Sequence, residues 1–213
     1  MLGSSGRTGR LVLKEAIQKG YQVNCLVRDV PKKINHDNLR FVEGLPNNDK
    51  DLEEAIVGCE KVIMVLNISR KSDFPWSKLK TPKKMISDSM KSIIRLANKH
   101  GIDHISTCSA WGVGETKNHI PKWFKWLINY SNIGFAYEDH ERQENVLTES
   151  NIKWTIIRPV GLTNSKRKEK LIETFNNIPK PNLLISRNSV AKYLLESLNS
   201  ENLVNKKVVI SKA

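Results

Sequence analysis

The chain has 213 residues, 39% hydrophobic and 27% charged, with a formal net charge of +13. That length suffices for one α/β domain with a full core, expected over residues 1–213, and no apolar run approaches the ~20 residues of a membrane span. The three cysteines, Cys25, Cys59 and Cys108, show no CxxC or paired-histidine spacing, so no metal site is expected and the thiols read as reduced, in a cytoplasmic protein.

The first informative stretch is residues 3–9, GSSGRTG, with only Met1 and Leu2 before it. Its form is GxxGxxG: the first glycine permits a tight turn, the middle one lets backbone approach a pyrophosphate, and the last admits close helix–sheet packing. Val12, Leu13, Ala16 and Ile17 then repeat as the stripe of a helix with one buried face, and Gly20 stands where a C-terminal cap belongs. YQVNCLV follows as a strand. Glycines that open a helix and lead into a strand make a phosphate-binding turn; a flexible linker has no such phase. A turn of this kind normally follows a buried central strand. Only two residues are present to build it, so a shortened first strand is expected.

Arg28 and Asp29 end that strand. This position faces the adenosine ribose in dinucleotide-binding folds, where an acid favours NAD and a cation, taking the 2′-phosphate, favours NADP. Arg28, followed by Lys32 and Lys33 and aided by Arg7 in the turn, outweighs Asp29 and predicts NADP(H).

Downstream, LRFVEG, KVIMVL, HISTCSA, KWTIIRP and KKVVI read as strands. Helical patterns lie between them, at Asp51 to Val57, Thr81 to His100, near Tyr137 to Ser150 and near Ser189 to Leu198. Ser69 to Lys80 and Asn164 to Arg187 read as long loops. The alternation predicts an α/β fold, a Rossmann-like doubly wound parallel sheet with helices on both faces. The substrate region would come from loops after residues 66, 110 and 160. Clusters such as Lys78 to Lys84 and Lys166 to Lys170 are scattered, so they read as solvated faces; neither nucleic acid nor membrane is expected as a partner, and the chain as a monomer or homodimer.

GSSGRTG, YQVNCLVRD, GCEKVIMVL, KHGIDHISTCSA and DHERQENVLTESNIKWTIIRP together resemble the atypical short-chain dehydrogenase/reductases. The likeness is closest to the NAD(P)H-binding, NmrA-like group that includes biliverdin-IXβ reductase, or flavin reductase. The resemblance implies that Gly3, Ser5, Gly6, Arg7, Thr8, Gly9, Arg28, Asn67 and Ser109 hold the cofactor. It further implies that Ser109 and His140 line the nicotinamide and substrate side as the catalytic pair. Two departures stand out. No tyrosine has a lysine four positions on, and the position after the third strand reads Gly44-Leu45 where the family often has Gly-Asp.

Trp111, Trp123, Phe124, Trp126, Tyr130, Phe135 and Tyr137 crowd the region after Ser109. They suit either a flat acceptor or the burial of a lid or dimer contact. The sequence thus predicts an NADPH-dependent reductase of a flat conjugated acceptor: a flavin, tetrapyrrole or quinone. The alternative is a non-catalytic NmrA-like sensor of NADP(H). Sugar-nucleotide epimerase chemistry is a weaker third reading, because little chain follows KWTIIRP.

Overall fold

The computed structural model describes residues 1–31 and 34–213; Lys32 and Lys33, two of the cations expected near the ribose, lie outside the described residues. The helices are α1 (Arg7–Gln18), α2 (Asp49–Ile56), α3 (Met85–His100), α4 (Lys122–Tyr130), α5 (Gly134–Thr148) and α6 (Arg187–Ser197). The strands are β1 (Val23–Val27), β2 (Leu39–Glu43), β3 (Lys61–Met64), β4 (His104–Cys108), β5 (Lys153–Pro159), β6 (Gly161–Thr163), β7 (Leu171–Thr174), β8 (Leu184–Ser186) and β9 (Lys206–Lys212).

β1 and β2 pair in parallel, and β3-β4-β5-β9-β7 form a five-stranded run. Leu2 joins the two, bridging in parallel to Leu26 of β1 and to Met64 of β3. Its N–H donates to the Ile63 carbonyl at 2.9 Å, and its own carbonyl accepts from Val65 at 2.9 Å. Leu2 is buried. The short first strand is therefore a working member of the sheet, and the order across it is β2-β1-Leu2-β3-β4-β5-β9-β7. β1 and β3 lie on opposite sides of Leu2, so the turn that follows Leu2 leaves the sheet where the strand order reverses.

Leu2, Val62, Met64, Ile105 and Ile156 pack with Leu52 of α2, Ile86, Met90 and Ile93 of α3 and Leu147 of α5. Val12 and Ala16 of α1 pack with Val190 and Leu194 of α6 and with Ile63, Ile157, Val208 and Ile210. The sheet is thus covered on both faces, as the alternation predicts. α3 shows the local logic: its buried stripe is Ile86, Met90, Ile93 and Ala97, and it stops at Gly101, whose φ of 70° closes the helix with an N–H to the Ala97 carbonyl.

Several elements differ from what the sequence predicts. The expected loop Asn164 to Arg187 contains β7 and β8, and β7 runs antiparallel to β9, with Leu171 opposite Lys212 and Thr174 opposite Val209. Four residues following a lysine-rich stretch carry no period of their own; the β9 edge orders them. α3 begins at Met85 and not at Thr81. α5 begins at Gly134, three residues before the expected Tyr137. A Cβ on Gly134 would lie 2.5 Å from the Ile128 carbonyl, so glycine lets α4 and α5 meet there.

Candidate cofactor and active site

The turn between Leu2 and α1 is built on its glycines. Gly3 has φ +88°, and a Cβ on it would lie 2.5 Å from the Val65 carbonyl. A Cβ on Gly9 would lie 2.0 Å from the Gly3 carbonyl, so the last glycine admits the turn's own backbone rather than the sheet. Gly6 is different. Its φ of −72° suits any residue, and a Cβ there meets only the Gly3 carbonyl, at 3.3 Å. The fold leaves this position open, as an approaching pyrophosphate needs.

α1 starts directly after Gly6, with no side-chain cap and no acid in its first turn. Its leading N–H groups and the positive end of its dipole are available to an anion. Ser4, absent from the expected set, is buried, and its hydroxyl lies near the Cys25 thiol without an oxygen or nitrogen partner. Thr8 is buried and Ser5 exposed. An orphaned hydroxyl, uncapped amides and an open Gly6 fit a dinucleotide phosphate.

The other expected contacts gather at the same carboxyl edge. Arg28 is exposed at the end of β1, and Asn67 is exposed just past β3. Arg7 is held by Asp73 in a bidentate pair at 2.9 and 3.0 Å, so it is less available than Arg28. At the Gly44-Leu45 departure, Asp51 of α2 accepts the Leu45 N–H at 2.9 Å, placing a carboxylate beside this turn from a position the sequence reading passed over.

Ser109 follows β4 and is buried. Its hydroxyl donates to Glu144 of α5 at 2.5 Å. Glu144 is itself buried and paired with Arg158 of β5, whose Nε donates to it at 2.9 Å; Arg158 also pairs with Glu115. Because the serine proton is committed to a carboxylate, Ser109 offers lone pairs outward. It can accept from an amide N–H but cannot also donate to a carbonyl.

His140 is buried on α5. Thr107 donates to the Met64 carbonyl at 3.3 Å and accepts from the Gln143 amide nitrogen, which turns the Gln143 oxygen toward His140. His140 Nδ1 therefore donates to that oxygen, at 3.0 Å, and Nε2 is the bare acceptor in the neutral ring. Burial pushes the His140 pKa below the ordinary value, against an upward pull from Gln143 and the nearby acids Glu144 and Asp139. The titration near pH 6.5 expected from the residue type is thus corrected downward. Burial likewise pushes the Tyr137 hydroxyl far up, so no activated phenol stands in for the missing Tyr-Lys pair. Burial also raises the Cys108 thiol to about 12, leaving it inert.

A family model described as NAD(P)H-binding matches residues 3–201. The chain belongs to this family. Among curated relatives it is 26% identical over 219 residues to the photosystem II assembly factor Ycf39 of Trieres chinensis, covering 99% of this chain and 62% of that protein. The chain thus spans less than two thirds of that relative's length. Among solved structures, a short-chain dehydrogenase/reductase from Veillonella parvula in complex with NADP superposes with a TM-score of 0.75 at 20% identity, covering 99% and 92% of the two chains. ChuY from Escherichia coli O157:H7, described as an anaerobillin reductase, gives 0.76 at 17% identity, covering 99% and 95%. The two solved structures share the fold, and the glycine turn lies within the span matched by the family model.

The aromatic group splits in two. Trp111 is buried, and Phe124 packs edge-on against Tyr137 with ring centroids 6.0 Å apart. Trp123, Trp126 and Tyr130 face outward from α4.

Proposed function

We propose that the protein is an NADPH-dependent reductase that passes a hydride to a flat conjugated acceptor, with a flavin as the first candidate. The observation that carries this reading is the proton inventory beside Ser109. The serine proton is committed to Glu144, His140 carries its proton on Nδ1 toward Gln143, and the half-buried Tyr137 phenol is held well above its ordinary pKa by burial. Such a site orients rings and keeps water out but offers a carbonyl substrate no activated acid. Bound there, NADPH would supply the hydride, and a flavin would take the one accompanying proton from solvent. The glycine turn, the α1 N-terminus and Ser4 would hold the pyrophosphate, and Arg28 the 2′-phosphate. The Ser109 oxygen would accept from the nicotinamide carboxamide. His140 would shape the acceptor side.

Two tests follow. Arg28→Ala should weaken NADPH by about tenfold to a hundredfold, the cost of one charge-assisted contact, and leave NADH nearly unchanged. Equal losses for both cofactors would refute that assignment. For the acceptor side, Ser109→Ala and His140→Ala should each lower FMN turnover by roughly three- to a hundredfold without abolishing it. Because His140 stays neutral through its usual range, turnover should be flat from about pH 6.5 to 8.5 and decline only below. Stability follows the same sign: the unfolded chain protonates its histidine first, so stability is lost as pH falls through the lowered folded value. An inflection above pH 6.5 that vanishes in His140→Ala, or complete inactivity of that variant on FMN with NADPH still bound, would mean acid catalysis and overturn the flavin reading.

A further inference from the structure

Phe74 and Trp76, in the excursion after β3, stack with Trp126 and Tyr130 of α4 as one exposed chain of rings. Successive centroids are 5.4, 6.3 and 5.7 Å apart. All four side chains are exposed, as is Trp123 beside them; Trp123 alone is 64% exposed. The arrangement is fixed: Trp76 Nε1 donates to the Tyr130 carbonyl at 2.7 Å, and Asn132 Nδ2 donates to the Trp76 carbonyl at 2.9 Å. Trp123, Trp126 and Tyr130 fall at i, i+3 and i+7, one helix face, while Ile128 turns inward. A joined apolar patch of this kind on a folded surface marks a contact with something else.

The charge around the patch says what. Residues 69–84 carry six cations, Arg70 and five lysines, against one acid, Asp73, which Arg7 already pairs. Residues 117–130 carry three lysines and no acid. On the flanking elements, Glu115 and Glu138 are held by Arg158 and Arg142. Interfacial tryptophan and tyrosine ringed by lysine is the chemistry that seats a protein on an anionic bilayer. A second copy of this chain would bring the same cations face to face. A single-stranded nucleic acid needs free ring faces to stack on, whereas these rings are packed tilted or edge-on against one another.

We infer that the Phe74–Trp76–Trp126–Tyr130 face docks on an anionic lipid surface. The sequence alone predicts no membrane partner, and no helix among the described residues is long and apolar enough to cross a membrane; a protein lying on the surface needs no span. Asp73, next to Phe74, is tied to Arg7 of the glycine turn, so docking would set the mouth of the cofactor site at the headgroups. The docking itself does not depend on the acceptor.

The test is co-sedimentation of the full chain with vesicles of phosphatidylcholine containing about a third phosphatidylglycerol, at about 0.1 M salt. Binding is expected, with a blue shift of tryptophan emission, and should weaken at least about tenfold on pure phosphatidylcholine. Trp123→Ser/Trp126→Ser should weaken it by a similar factor with NADPH affinity unchanged, which serves as the fold check. Lys78→Glu/Lys122→Glu, which leaves the rings intact, should do the same. The proposal is overturned if the wild-type chain ignores the anionic vesicles, or if it binds both vesicle types alike. It is equally overturned if the variants abolish self-association or binding to polyuridylate while vesicle binding is absent.

Discussion

Gly6→Val is expected to reduce NADPH binding by at least about a hundredfold while the protein stays folded. The backbone at Gly6 is already in a region open to L-residues, and the nearest atom to an added Cβ is the Gly3 carbonyl at 3.3 Å. The folding cost is therefore a small adjustment plus the loss of a good helix-cap residue, about 1 kcal/mol. The binding cost is larger. A branched side chain would stand over the first N–H groups of α1, and each charge-assisted hydrogen bond lost costs about 1.5–3 kcal/mol. Gly9→Val is the contrasting variant: its Cβ would fall 2.0 Å from the Gly3 carbonyl, so it should lose the fold itself. Calorimetric titration with NADPH, with circular dichroism on both variants, separates the two. Undiminished affinity in folded Gly6→Val protein would move the phosphate site away from GSSGRTG.

Glu144→Leu should be the most destabilising single change in the buried charge network behind Ser109. It strands the buried Arg158 with Glu115 alone, removes the acceptor of the Ser109 hydroxyl, and takes away the partner 3.6 Å from Lys207. Breaking a buried pair by removing one member costs about 3–5 kcal/mol, because the other charge stays buried. At about 2–4 °C per kcal/mol for a chain of this size, melting should fall by roughly 6–20 °C. Glu144→Leu/Arg158→Leu should recover much of the loss, since the charges it leaves unpaired, Glu115 and Lys207, reach solvent. An unchanged melting temperature in Glu144→Leu would show that the network carries no such load.

The parts that were legible in the sequence are those with a period or a special backbone. Glycines in GSSGRTG announce a phosphate turn because side chains are barred at Gly3 and Gly9. The stripe of α3 announces a helix because Ile86, Met90 and Ile93 must share one face. What stayed hidden is made by pairing across the chain. β7 has only four residues and is ordered by β9. Glu144 and Gln143 read as ordinary polar residues of a helix; burial against Arg158 and Thr107 gives them their roles. One signal was available for Glu144: it stands one turn after His140, on the same helix face. Ser4 was hidden inside the motif, because its hydroxyl matters through having no oxygen or nitrogen partner. The aromatic cluster was legible as composition, but its division into an inner and an outer half depends on where α4 lies against α5.

The central claim, hydride transfer from NADPH to a flat acceptor, is tested most directly by following NADPH oxidation at 340 nm with FMN or dichlorophenolindophenol beside calorimetric titration of the cofactor. Tight NADPH binding is expected together with acceptor-dependent oxidation that Gly6→Val removes. Tight binding with no oxidation by either acceptor would contradict it.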